Sequence, residues 1–217
     1  MIEFYDYFFE AINNNDGLLN FVKSFLPQNR VYIFGGFVRD YLYLYSKFND
    51  IDFVIDIESE ALKEKLIDLN EKKVLVNQFG GYKIVFDEIK IDVWALEDTW
   101  AIKHGYFNKG ELLKTVYLNI DAYAFDLSSK CFVDKCNISG IPKSIDICFE
   151  VNPYEELNLA RSIVFSRKYN IPLSSQIISK LVEVKNNEEK RRRFLYLQLK
   201  HFGDIRVALT DIDLYVR

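Results

Sequence analysis

Residues 31–56 read VYIFGGFVRDYLYLYSKFNDIDFVID, and this stretch limits what the chain can fold into more than any other. Val31-Tyr32-Ile33-Phe34 is a short apolar run of strand type, and Gly35-Gly36 turns the chain. Phe37 to Tyr45 then has the spacing of a helix that packs Val38 and Leu42 inward, and Ile51 to Ile55 follows as a second strand. Asp50 and Asp52 open that strand. Side chains at i and i+2 of a strand share one face about 6.6 Å apart, so the two carboxylates project together while Ile51, Phe53 and Ile55 face a core.

The rest of the chain supplies elements to pack around this unit. Ile2 to Leu26 carries apolar residues at helical spacing, interrupted by Asn13 to Gly17, which predicts two N-terminal helices ended by Pro27. Ser59 to Leu69 predicts a helix covering one face of a sheet, with Ser59 as its N-cap. Tyr82–Phe86 and Ile89–Ala95 predict a hairpin around Asp87-Glu88, and Val116–Phe125 with Cys131–Val133 a second antiparallel pair. From Pro153 onward the pattern is helical. The expected fold class is α/β in the broad sense (α+β). Residues 1–152 form a head with a mixed sheet flanked by helices, of which 1–25 are the N-terminal pair, and 153–217 a small helical extension.

Aspartates held as close as Asp50 and Asp52 repel each other unless a cation lies between them. Mg²⁺ suits carboxylate and phosphate oxygens, with Mn²⁺ an alternative, and a two-ion site can hold the attacking and leaving oxygens of a transferred phosphoryl group. A third carboxylate completes such a cluster. Asp92 is the candidate, because Ile91 and Val93 on its strand point to the opposite face. Gly35 and Gly36 let a backbone approach a triphosphate without a Cβ clash, and the following helix start offers N–H groups to phosphate oxygens. The expected substrate is a nucleoside triphosphate such as ATP. A plainer reading of the same residues stays open: Asp50 in a turn, Asp52 solvated, Asp92 on an edge hairpin, and Arg39 paired with Asp40 or a sheet carboxylate.

These motifs resemble the head-domain signature of the class II CCA-adding enzymes and bacterial poly(A) polymerases. That signature has an apolar strand, Gly-Gly-x-Val-Arg-Asp, a helix of about a dozen residues and Asp-x-Asp, matched here by Gly35, Gly36, Val38, Arg39, Asp40, Asp50 and Asp52. The resemblance implies a mixed nucleotidyltransferase sheet, catalytic Mg²⁺ on the aspartates, and contact of the glycine turn, with Arg39, to the incoming triphosphate. Weaker similarity continues through Asn119–Asp126, Phe132-Val133-Asp134 and Leu157–Asn170, and places Asp121 and Arg161 at nucleotide-binding positions. The chain also departs from the family. Thr115-Val116-Tyr117 stands where Arg-Arg-Asp begins the second element, Asp121 where an Asn is expected, and Tyr154, Glu155 and Asn158 where an acidic-acidic-x-x-Arg set reads the base edge. No body or tail domain of the kind that holds tRNA follows, so CCA addition itself is not expected.

Two functions follow as expectations. One is metal-dependent transfer of a nucleoside monophosphate to an acceptor hydroxyl, with an RNA 3′ end first by family association. The other is a catalytically degenerate nucleotide-binding or interaction module, of regulatory or toxin–antitoxin type, with a partner protein. A formal net charge of −4 argues against gripping nucleic acid by bulk electrostatics, so any RNA must be held locally. Lys190-Arg191-Arg192-Arg193, beside Phe194, Tyr196 and His201, is the one basic stretch able to do so. Its plainer reading is a solvated helix face paired with Glu188 and Glu189, with Leu195, Leu197 and Leu199 as core. Trp94 and Trp100 could stack on a base or pack in the core. Three cysteines and two histidines without ligand spacing predict no structural zinc. No apolar run is long enough to span a bilayer and the N-terminus is acidic, which predicts a cytoplasmic protein without membrane contact.

Overall fold

A computed structural model of the chain describes residues 3–43, 50–67, 69, 74–77, 80–133 and 142–216. Tyr45, Asp134 and Cys136 lie outside these, with the end of the expected helix at 37–45, while the helix expected over 59–69 spans Ser59–Ile67 and Leu69 is not helical. The described residues divide into two compact units, Met1–Thr115 with Ala122–Ser139, and Val116–Asp121 with Gly140–Arg217.

The first unit is built on a seven-stranded mixed sheet in the order β3-β4-β5-β2-β1-β6-β7. Its strands are β1 (Val31–Phe34), β2 (Asp50–Ile55), β3 (Leu75–Val76), β4 (Tyr82–Phe86), β5 (Ile89–Ala95), β6 (Ala124–Asp126) and β7 (Cys131–Phe132). All pairs are antiparallel except β2 with β5. Helices α1 (Phe4–Ile12), α2 (Asp16–Phe25), α3 (Gly36–Leu42) and α4 (Ser59–Ile67) bring Phe8, Leu18, Phe37, Val38 and Leu62 into one core with Ile33, Ile51, Phe53, Ile91, Val93 and Phe125. Each of those strand residues sits at an alternate position, so the helices cover a single face. The opposite face keeps a smaller apolar group, Tyr32, Val54, Leu96 and Leu112, near the short helix α5 (Trp100–Lys103).

Local chemistry explains the element ends. Asn15 accepts from the Leu18 amide as the cap of α2 and donates from its side chain to the Phe86 carbonyl, which ties the helix start to the β4–β5 hairpin. Asp87 takes the positive φ of that tight turn, at 53°.

The second unit is helical: α6 (Glu155–Tyr169), α7 (Ser175–Asn186), α8 (Glu188–Phe202) and α9 (Leu209–Ile212). Ser174 and Asn187 cap α7 and α8 by accepting from Ile177 and Lys190 amides. Gln198, fully buried, donates to the Val207 carbonyl and accepts from its amide, fastening the turn after α8.

Two expectations need correction. Val116–Phe125 is not one strand: only Ala124–Asp126 pairs in the sheet, and Asn119–Asp121 is a single 3-10 turn. The Asn119 side chain bonds Ser144 O and Asp146 N, and Leu118 bridges Ile147, so 116–121 belongs to the helical unit. On α8 the buried residues are Phe194, Leu197 and Gln198, while Leu199 is 49% exposed. Residues two apart on a helix are separated by about 200° around its axis, so Leu195, Leu197 and Leu199 cannot share one buried face.

Candidate active site

The sheet register decides which carboxylates meet. Parallel pairing of β2 with β5 sets Asp52 directly beside Asp92 and Asp50 beside Lys90. Antiparallel pairing of β4 with β5 sets Lys83 beside Asp92. All five residues alternate with core positions and therefore occupy the sheet face away from α1–α4. Asp50 is exposed, Asp52 intermediate and Asp92 buried at 7% exposure.

Asp92 is the most constrained of them. Its Oδ2 accepts from Lys83 Nζ at 2.8 Å, and its Oδ1 is buried with no hydrogen-bond partner. A buried carboxylate oxygen without a donor is costly. Burial pushes the Asp92 carboxyl above its usual range, the bond to Lys83 offsets part of that rise, and the charge on Asp50 adds to it. An oxygen of this kind, in register with a second carboxylate, is a fit for a divalent cation. The carboxylates are not drawn together as a ready set, for among the described residues no group of three His, Cys, Asp or Glu side chains is placed to hold a metal ion.

Gly35 supplies the second half of the site. Its φ of 64° and ψ of −115° suit glycine and strain any other residue, and a Cβ there would lie 3.8 Å from Asp52 Oδ2. The turn is pinned by its amide, which donates to the Tyr123 carbonyl at 2.8 Å. Gly36 differs: a Cβ at this position would meet only Arg39 Nη2 at 3.5 Å, an ordinary contact, so the fold itself does not require this glycine.

The remaining expected nucleotide ligands are engaged internally. Arg39, expected to orient a triphosphate, is buried with its Nε 3.4 Å from Asp40 Oδ1, in agreement with the plainer reading. Asp121 and Arg161 are brought together within the helical unit, Nη2 to Oδ2 at 2.9 Å, and Arg161 Nη1 also donates to Asn158 Oδ1 at 3.1 Å. Lys190, Arg192 and Arg193 of the basic stretch on α8 are paired as well. Lys190 binds Glu183 at 2.6 Å, Arg192 binds Glu188, and Arg193 binds Glu156 at 2.8 Å and the Pro153 carbonyl at 2.6 Å.

Both tryptophans have definite places. Trp94 lies on the carboxylate face with its indole against Gly81, where an added Cβ would come to 2.0 Å from Nε1. Trp100 stacks on Tyr106 at 5.6 Å and meets the His104 ring at 4.7 Å, tilted by 32°.

Lys83 and Gly81 were not singled out from sequence, although a signal existed. A two-residue turn at Asp87-Glu88 pairs Phe86 with Ile89, and counting outward pairs Lys83 with Asp92 and brings Gly81 opposite Trp94.

No family model matches the chain. A curated relative, ATP synthase subunit delta of Wigglesworthia glossinidia brevipalpis, is 30% identical over 90 residues, which is 41% of this chain and 47% of that protein, and assigns no family. Solved structures agree in fold. A CCA-adding enzyme with ATP superposes with a TM-score of 0.63 at 17% identity over 94% of this chain, and a tRNA-processing enzyme with 0.61 at 21% over 95%. The Thermotoga maritima CCA-adding enzyme complexed with tRNA gives 0.57 at 17% over 92%. The chain spans about half the length of these proteins, 52%, 55% and 50%. Among the described residues, no helix is long and apolar enough to cross a membrane. The chain therefore has a mixed α+β fold similar to that of the CCA-adding enzymes over about half of their length.

Proposed function

We propose that the protein is a metal-dependent nucleotidyltransferase that moves a nucleoside monophosphate from a nucleoside triphosphate to an acceptor hydroxyl. The observation that carries this reading is the in-register pair Asp52 and Asp92 beside the Gly35 turn, with Asp92 Oδ1 buried and without a donor. In the reaction the acceptor oxygen forms a bond to the α-phosphorus, the bond from that phosphorus to its bridging oxygen breaks, and pyrophosphate and the hydroxyl proton leave.

Asp50, Asp52 and Asp92 are the residues that would hold two Mg²⁺ ions, or Mn²⁺ in their place. Such ions, when bound, neutralise triphosphate charge and ease deprotonation of the acceptor hydroxyl. The protein's own part is positional. Gly35 keeps the backbone beside Asp52 free of a side chain, so a triphosphate can lie close to it. Strand pairing fixes Asp52 and Asp92 on rigid backbone, which favours a set geometry for the reacting groups. Arg39 is paired with Asp40 and is not assigned to the triphosphate.

An RNA 3′ end is the acceptor we favour. The support is the similar fold of an enzyme complexed with tRNA, which is an argument from fold. A cytoplasmic location fits such a substrate. A second reading has one observation in its favour: the Lys83 ammonium already occupies Asp92 Oδ2, as it would in a head kept for nucleotide binding or for a partner protein. Incubation with α-labelled ATP, CTP, GTP or UTP, Mg²⁺ and total RNA separates the two. Transfer of label to RNA that disappears in Asp52→Ala supports the enzyme. Absence of both transfer and Mg²⁺-dependent nucleotide binding contradicts it, and binding without transfer to RNA, small molecules or protein supports the second reading.

A further inference from the structure

We propose that the Lys83 ammonium acts as a resident cation of the Asp92 carboxylate, competing with a divalent ion for that group and so setting the ion concentration at which the carboxylate face loads. This rests on the reading of that face as a metal site.

Four observations lead to it. Lys83 Nζ lies 2.8 Å from Asp92 Oδ2, the distance of a charge-assisted hydrogen bond. The tight β4–β5 turn dictates that pairing, so backbone register sets the two residues side by side on one face. The two partners are unequally placed: the Asp92 side chain is 10% exposed and that of Lys83 is 56% exposed. The carboxylate is therefore fixed while the lysine head can turn into water, and an ion pair with one solvated partner is weak enough to exchange. Finally, Asp92 keeps Oδ1 buried and without a donor even while Lys83 holds Oδ2, so one ammonium leaves the carboxylate half satisfied.

A divalent cation differs from the ammonium in what it can complete. It carries twice the charge and can take oxygens from Asp52 and Asp92 together, which stand side by side in the sheet. The Lys83 ammonium reaches Asp92 Oδ2 and leaves Oδ1 without a donor. The ammonium thus lowers the cost of the ion-free face and is displaced on loading. A lysine that only braced the hairpin would contribute to stability without affecting ion affinity.

The test is Mn²⁺ binding to the full chain without nucleotide, read from the free-ion signal in electron paramagnetic resonance, for wild type, Lys83→Met, Lys83→Arg and Asp92→Asn. Removing the lysine charge should tighten Mn²⁺ binding roughly three- to tenfold, the scale of one unit charge near a protein surface. Lys83→Arg should stay near wild type, and Asp92→Asn should weaken binding. Should Lys83→Met not remain folded, Lys83→Gln carries the same comparison. Unchanged or weaker binding without the Lys83 charge, alongside weakened binding in Asp92→Asn, would overturn the competition while leaving the metal site intact. If Asp92→Asn binds Mn²⁺ like wild type, or no variant binds it, the metal-site reading fails and the competition with it.

Discussion

Two charged clusters invite a functional reading, the carboxylates on β2 and β5 and the basic run on α8, and the structure treats them in opposite ways. The aspartates are fixed by strand register on one face, and one of their buried oxygens has no donor. Successive residues of the basic run point about 100° apart around the helix, and Lys190, Arg192 and Arg193 each reach a different glutamate. Strand register gathers the carboxylates on one face and leaves Asp92 Oδ1 without a donor, whereas the helix spreads its charges toward separate glutamates.

The largest effect should come from the carboxylate side. Asp52→Asn should lower nucleotidyl transfer by a factor on the order of 10²–10³ or more, as expected for losing a group that stabilises developing charge. Steady-state rates together with circular dichroism check it, and a folded variant with undiminished rate would break the contrast. Next comes the glycine turn. Gly35→Ala forces a side chain into a positive-φ conformation that costs about 1–3 kcal/mol, and should lower both thermal stability and nucleotide binding. Gly36→Ala should melt close to wild type, because only an ordinary contact with Arg39 is added. If Gly36→Ala nonetheless weakens binding, the second glycine serves the ligand and not the fold.

The helical cluster should respond unevenly and less. Arg193→Ala leaves Glu156, buried at 6% exposure, without its arginine, and should cost about 1–3 kcal/mol in chemical denaturation. Arg192→Ala, between two exposed partners, should fall within about 0.5 kcal/mol of wild type. Equal losses would mean that the run acts as a single surface.

A pH profile sharpens the carboxylate side further. Because burial raises the folded-state pKa of Asp92, the protonated form favours the fold. That contribution is full below the ordinary carboxylate range and is lost as pH rises through the raised value. In chelator, Asp92→Asn should therefore gain most over wild type in thermal stability near neutral pH, with the gap closing on acidification. A gap that widens on acidification would show that the Lys83 bond outweighs burial.

Much of this fold can be read before any coordinates. The strand, Gly-Gly turn and Asp-x-Asp stretch, the hairpin at 82–95 and the helices from 155 onward lie close to their expected positions, because each is specified by local periodicity and turn residues. The segment 116–121 is not legible in this way. Its apolar residues suit a strand, but Asn119 and Leu118 find their partners at 144–147, a tertiary choice that no local pattern records. In the site, Asp50 and Asp52 follow from alternation alone. That Asp52 meets Asp92 depends on parallel pairing across 40 positions, which spacing cannot reveal. Lys83 is legible from hairpin counting, although a lysine on an edge hairpin reads as solvated. The internal pairing of Arg39, and of Asp121 with Arg161, shows the reverse case, in which a motif match marks the residue but not its partner.

The central claim is that the carboxylate face is the metal and triphosphate half of a nucleotidyl transfer site. Anomalous diffraction from crystals soaked with Mn²⁺ and a non-hydrolysable ATP analogue tests it most directly. A manganese peak bridging Asp52 and Asp92, with the triphosphate beside Gly35, is the expected result. Manganese and nucleotide bound elsewhere, with Lys83 still on Asp92, would contradict it.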